Sequence, residues 1–186
     1  MPLGADMIFT FSRFYGDLKR NKNRLENTIV LLSALLKKKS LSILLADDDE
    51  GSRVIFMEAM AEIAPHVKVS IAVNGRKLMN TLLAPHGELP DIIFLDLNMP
   101  IKNGWECLQE IRNNDRLKDI PVIIYSTSAN REHIDQTYEE GANFYLIKPD
   151  SFNELKLMAK SILSLDWVKP IWPARESFVL IPTKFK

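Results

Sequence analysis

A single cysteine, Cys107, and three histidines are all that this 186-residue chain offers to soft metals. One thiol cannot bridge internally, which suits a reducing compartment and removes a disulfide framework from consideration. Lying in an expected helix, Cys107 reads as a small buried hydrophobe rather than a redox centre. His66, His86 and His133 are scattered without ligand spacing, and each reads as a loop or surface residue. Charge of one sign is missing as well: 24 Lys and Arg balance 24 Asp and Glu, so the whole chain has no bias toward polyanions. No apolar run reaches the ~20 residues of a membrane span. Residues 29–36 resemble a short signal core, but they start late and run into three lysines instead of a cleavage site. A cytoplasmic protein with no membrane span and no nucleic-acid partner is expected.

What is present is one design used four times. An apolar run ends abruptly in polar, reactive side chains: residues 43–46 into Asp47-Asp48-Asp49, residues 92–95 into Asp96, residues 122–125 into Ser126, and residues 144–147 into Lys148-Pro149. Short continuous apolar runs read as strands buried on both faces of a parallel sheet. Ligands of open α/β sheets bind at the carboxyl ends of such strands. Side by side, these ends bring carboxylates, a hydroxyl and an ammonium into one pocket, a set that suits phosphoryl chemistry with a divalent metal.

Between the runs lie amphipathic stretches. Val54, Met57 and Ala61 recur at helical spacing, as do Leu78 and Leu82, then Trp105, Leu108 and Ile111, then Ile134 and Tyr138 before Gly141, and finally Leu155, Met158, Ile162 and Leu165. Val67, Val69, Ile71 and Val73 alternate as in an edge strand. The count is five strands and five helices over residues 41–165, a doubly wound α/β domain. A core of ~150 residues buries roughly 70% of its unfolded surface and needs no staple. Residues 1–40 form a leader with eight bases against three acids, leaving sixteen against twenty-one for the rest. Leu25, Ile29, Leu32 and Leu36 would stripe a helix there; the alternatives are disorder, a later start at Met7, or an interfacial helix. Residues 166–186, with three prolines and two tryptophans, read as an extended arm.

Carboxylates ~4 Å apart repel by about 4 kcal/mol per pair at an effective dielectric near 20, so clustering Asp47, Asp48 and Asp96 has a cost that a cation would remove. An all-oxygen, incomplete cage favours magnesium over zinc. The segments ILLADDDE, DIIFLDLNMPIKNG, PVIIYSTSA and GANFYLIKP, in this order with helices between them, resemble the signature segments of the CheY-like receiver domains of response regulators. The LDLNMP and Y-S-T-S wording is similar to stand-alone receivers associated with phytochrome-type and related sensor histidine kinases.

That resemblance implies a flavodoxin-like five-stranded parallel sheet of order 2-1-3-4-5 with helices on both faces. It implies Asp96 as the phosphoacceptor, and Asp47, Asp48, Asp96 and the backbone carbonyl of Asn98 as Mg2+ ligands. Ser126 would meet a phosphoryl oxygen, with Thr127 and Ser128 as competitors for that place, and Lys148 would pair with the incoming group. The Lys148–Pro149 bond would be cis, and Tyr145 would report phosphorylation by changing rotamer or would simply be core. Asn98 and Ser128 sit where such domains tune dephosphorylation, and Asp49 reads as a helix cap rather than a ligand. Phosphorylation replaces one negative charge by about two, so the segment from the fourth strand into the fourth helix, with the surface of the fourth helix, fifth strand and fifth helix, would be the bistable element. The implied partners are a sensor histidine kinase, a histidine phosphotransfer domain, or a second copy in a homodimer. Twenty-odd residues after the last helix cannot build a DNA-binding module. Two other readings stand beside this one: a receiver used as a scaffold without phosphorylation, and a haloacid-dehalogenase-type phosphatase. The second lacks its continuation after Asp47-Asp48-Asp49 and its late acidic pair. A switch that assists its own phosphorylation and dephosphorylation, not a multiple-turnover enzyme, is expected.

Overall fold

The computed structural model describes residues 41–167 and 171–180. The leader, with its expected helix at residues 25–36, lies outside the described residues, as do residues 168–170 and 181–186. Five strands alternate with five helices: β1 (Ser42–Ala46), α1 (Glu50–Ile63), β2 (Lys68–Ala72), α2 (Gly75–Leu82), β3 (Ile92–Leu95), α3 (Gly104–Arg112), β4 (Val122–Ser126), α4 (Arg131–Glu139), β5 (Phe144–Ile147) and α5 (Phe152–Leu163). They are followed by one helical turn, α6 (Arg175–Phe178), and a two-residue strand, β6 (Val179–Leu180). All pairings are parallel, and the sheet runs β2-β1-β3-β4-β5-β6.

The expected order 2-1-3-4-5 is therefore extended by a sixth strand. It arises inside the segment read as an extended arm, where two paired residues are too few to leave a periodic signal. Burying Phe178, which is 1% exposed, contributes about 2–3 kcal/mol toward ordering that segment.

Strand side chains alternate between two cores because successive residues point to opposite faces. Leu44, Ala46, Ile93 and Ile124 join one core with Leu78, Leu82, Leu108 and Ile111 of α2 and α3. Ile43, Leu45, Phe94 and Tyr125 join the other with Phe56 and Met60 of α1 and Leu155 and Met158 of α5. The α1 face differs from the stripe expected for it. Phe56, Ala59 and Met60 are buried, while Val54 and Met57 are 49% and 39% exposed. The segment VIFMEAMAEI is apolar on more than one side, and the aromatic stack of Phe56 on Phe94 (4.9 Å) and Tyr125 (5.5 Å) sets the phase. The edge position of β2 stands, although Ile71 and Val73 are exposed and Ala72 supplies its buried contact.

Local chemistry starts and stops the helices where the site needs them. Asp49, Asn74, Asn103, Asn130 and Ser151 each cap a helix by accepting an N–H in its first turn, and Asn103 with Glu106 forms a full capping box. Gly141, at φ 84°, closes α4 in the left-handed region. No helix among the described residues is long and apolar enough to cross a membrane.

Candidate functional site

The carboxyl ends of β1, β3, β4 and β5 meet at one edge of the sheet, and each delivers a different functional group. β1 ends in Asp47, fully buried, and Asp48, exposed. Asp47 is held from several sides: Ser52 Oγ donates to Oδ2 at 2.6 Å, the Asp49 amide to Oδ1 at 3.0 Å, and Lys148 Nζ to Oδ2 at 2.8 Å. Arg53 braces the same turn by donating to the carbonyls of Asp47 (3.0 Å) and Asp48 (2.7 Å). Asp49 turns away into the α1 cap, its carboxylate accepting the Ser52 amide at 2.6 Å.

β3 delivers Asp96, which is 6% exposed. Its Oδ1 accepts the Leu97 amide at 2.8 Å, and Oδ2 lies 3.7 Å from Lys148 Nζ. Burial raises the Asp96 carboxyl above the ordinary carboxylate range; Lys148 works against this, and Asp47 adds to it. The loop after Asp96 doubles back sharply. Lys102 N–H reaches the Pro100 carbonyl at 2.8 Å around Ile101, whose φ of 72° is a strained γ-turn value for a β-branched residue. Gly104 then passes so close that a Cβ there would sit 2.2 Å from the Asp96 carbonyl, so only glycine lets α3 start against the site.

β4 ends in Ser126, fully buried, while Thr127 is exposed and Ser128 half-buried. The Ser128 amide donates to Ser126 Oγ at 3.2 Å, and the Ser128 hydroxyl contacts His133 Nδ1 at 3.0 Å. β5 carries Tyr145, fully buried with its hydroxyl donating to the Ser128 carbonyl at 2.8 Å, and delivers Lys148, whose ammonium lies 5.1 Å above the Tyr125 ring. Burial pushes the Tyr125 and Tyr145 hydroxyls up, so both are neutral donors at physiological pH.

One oxygen each from Asp47, Asp48 and Asp96 lies within 4.8 Å of the others. Three carboxylates sharing so small a volume with one ammonium leave net negative charge, and their hard oxygens fit a magnesium-like cation. Asp47, Asp48 and Asp96 would hold it, with the Asn98 carbonyl on the adjoining loop.

Asp47, Asp48, Asp96 and Lys148 come together here; Ser126 ends the neighbouring strand and Tyr145 lies buried on β5, and one expectation needs correcting. The Lys148–Pro149 bond is trans: the described backbone has no cis peptide. Trans is the lower-energy isomer by roughly 0.5–1 kcal/mol even before proline. Lys148 reaches Asp47 and Asp96 without the other. Sequence reading missed Ser52, Arg53 and Tyr125, which hold the acidic turn and the lysine. The spacing of Ser52 from Asp49 hid it inside an ordinary cap, and Tyr125 reads as one more apolar strand residue. The histidines stay outside the carboxylate cluster, although His133 belongs to α4 and meets Trp105 edge-on rather than lying in a loop. Cys107 is buried beside Lys102, and desolvation raises its thiol to about 12, which leaves it inert.

Comparison with known proteins agrees with this geometry. Residues 43–160 match the profile of the response regulator receiver domain. The chain is 33% identical over 134 residues to the response regulator Rcp1 of Synechocystis, covering 69% of this chain and 90% of that protein. It is 31% identical over 137 residues to a probable methanogenesis regulatory protein, FilR2, of Methanothrix harundinacea, covering 71% and 88%. Among solved structures, the phosphorylated cyanobacterial phytochrome response regulator RcpA superposes with a TM-score of 0.62 at 32% identity, over 66% of this chain and 91% of that one. The Mn(2+)-bound form of Rcp1 gives 0.62 at 31% identity, over 72% and 99%.

Proposed function

The chain belongs to the response regulator receiver family, and on that premise we propose that it is a cytoplasmic phosphoacceptor. Asp96 takes a phosphoryl group from a phosphohistidine of a sensor histidine kinase or histidine phosphotransfer domain, and a protein partner reads the change of shape. The observation that carries this reading is the convergence of Asp47, Asp48 and Asp96 with Lys148 at one sheet edge, Lys148 spanning Asp47 at 2.8 Å and Asp96 at 3.7 Å.

In the transfer, an Asp96 carboxylate oxygen forms the new bond to phosphorus. The phosphorus–nitrogen bond to the donor imidazole breaks, and its electron pair returns to that nitrogen. Little covalent work falls to the protein, so positioning and charge neutralisation dominate. Lys148 swings its ammonium from the Asp47 carboxylate toward the incoming phosphoryl oxygens, a short move along an interaction it already makes. Ser126 offers its hydroxyl to another oxygen. The Leu97 amide fixes the Asp96 carboxylate in place. A magnesium ion bound by Asp47, Asp48, Asp96 and the Asn98 carbonyl would supply the remaining positive charge. The product is stored rather than turned over.

The test is incubation with acetyl phosphate and Mg2+, followed by a phosphate-affinity gel. One acid-stable, base-labile shifted band per chain is expected in wild type and none in Asp96→Asn. A band that persists in Asp96→Asn would sink the assignment.

A further inference from the structure

Phe178 of α6 is buried against two rings: Tyr138 of α4, with centroids 5.1 Å apart, and Tyr145 of β5, at 6.3 Å. Tyr145 is joined to the site through Ser128, whose carbonyl accepts its hydroxyl at 2.8 Å and whose amide donates to Ser126 Oγ at 3.2 Å. A continuous line of contacts therefore runs from the Ser126 hydroxyl at the end of β4 to the last strand of the sheet. The segment carrying Phe178 has its own fastenings. Asn143 Nδ2 donates to the Ile171 carbonyl at 2.8 Å, Arg112 lies 5.5 Å over Trp172, and Arg175 pairs with Asp135 while lying 5.0 Å over Tyr138. Val179 and Leu180 then pair with Tyr145 and Leu146.

We infer that residues 171–180 are an internal reader of the phosphorylation switch, with Phe178 as the residue that positions Tyr145. The inference rests on Asp96 being the phosphoacceptor. With the segment docked, Phe178 keeps the Tyr145 ring buried and its hydroxyl on Ser128. Drawing Ser126 toward a group on Asp96 then changes what the Tyr145 hydroxyl and the Ser128 amide meet. Phe178 packs against the Tyr145 ring and β6 pairs with the strand that carries it, so a move of the ring has to repack the segment. Coupling of this kind is reciprocal. Occupation of Asp96 tightens the segment, and loosening the segment weakens occupation of Asp96.

The full chain with beryllofluoride and Mg2+, a phosphoryl mimic, separates the outcomes. Fluorine NMR reads occupancy at the site, and hydrogen–deuterium exchange reads the segment in the same sample. Bound beryllofluoride is expected to slow amide exchange in residues 175–180 by about threefold or more. Phe178→Ala is expected to weaken beryllofluoride binding by about threefold to tenfold and to remove that slowing. Phe178→Leu, which keeps an apolar side chain of similar reach, restores most of both. Saturated fluorine signal with unchanged exchange in the segment overturns the inference and leaves Asp96 as acceptor. So does a folded Phe178→Ala protein that loses thermal stability but binds beryllofluoride like wild type. Absence of any bound fluorine signal overturns the acceptor assignment and this inference together.

Discussion

The same strands end in two opposite kinds of electrostatics. At their carboxyl ends Asp47, Asp48 and Asp96 crowd together with one ammonium between them. Toward the amino ends of β4 and β5 sits Arg112, a half-buried side chain whose guanidinium has four acceptors around it. It donates to the carbonyls of Gly141 (2.7 Å), Lys118 (3.0 Å) and Ile120 (2.9 Å), and to Asn143 Oδ1 (2.9 Å). Asn143 continues the network by accepting the Val122 amide at 2.8 Å. Burial lowers the Arg112 guanidinium to about 10, with Asp119 opposing, so it remains charged through neutral pH. One end of the sheet thus meets its charge with acceptors of the fold, and the other gathers three carboxylates around one ammonium. The first arrangement stabilises; the second is available for chemistry.

Removing the guanidinium should produce the largest effect on stability. Arg112→Ala strips four acceptors of their donor and opens the loops before β4 and β5, at about 3–5 kcal/mol in all. For a domain of this size that is a fall in Tm of roughly 10–15 °C. Differential scanning calorimetry measures it, and labelling with acetyl phosphate well below the new Tm should still reach one phosphate per chain. A variant that kept its stability, or lost labelling while folded, would erase the contrast between the two ends.

How much of this contrast was legible beforehand depends on what kind of signal each part leaves. The acidic end was readable because apolar strand runs stop at polar side chains, so a run such as residues 92–95 followed by Asp96 marks both an element and a member of the carboxylate cluster. The stabilising end left no such mark. Arg112 looks like a solvated helix terminus, and its acceptors are main-chain carbonyls that no side-chain pattern announces. The phase of α1 was misread for a related reason: with apolar residues on several sides, only the stack of Phe56 on Phe94 and Tyr125 decides which face turns inward. β6 escaped because its pairing partner, β5, lies some thirty residues earlier and the strand itself has two residues. The bond before Pro149 is trans where the resemblance implied cis, and Lys148 reaches both carboxylates from it.

Lys148 tests the other end. Lys148→Met removes the ammonium that lies against Asp47 and Asp96, and on the proposed function the labelling rate with acetyl phosphate should fall about 100-fold, equivalent to about 2.7 kcal/mol. The variant also leaves Asp47 buried without its ammonium, so the metal-free protein should lose stability as well. The two ends then part company. The loss in Lys148→Met should be largely recovered by millimolar Mg2+, because a cation can enter where the ammonium was, whereas the loss in Arg112→Ala should not respond. Equal recovery in both variants would mean that the ion acts on the fold at large.

The smallest expected effect is the most direct measure of incomplete charge at the site. An ion at ten times its Kd that binds only the folded state adds about 1.4 kcal/mol. Wild-type protein titrated with MgCl2 at constant ionic strength should therefore rise in Tm by roughly 3–5 °C. Asp48→Asn tests the origin of that rise, because Asp48 is exposed and caps no helix, so its loss disturbs the cluster while sparing the core. The variant should keep a wild-type Tm without metal, or exceed it, since one of three mutually repelling carboxylates is gone. It should also lose most of the Mg2+ response. Arg112→Lys, destabilised at the far end of the same strands, should keep the full response, because sites this far apart without shared partners contribute additively. A Mg2+ response that survives Asp48→Asn and fades in Arg112→Lys would reverse the assignment of the two ends.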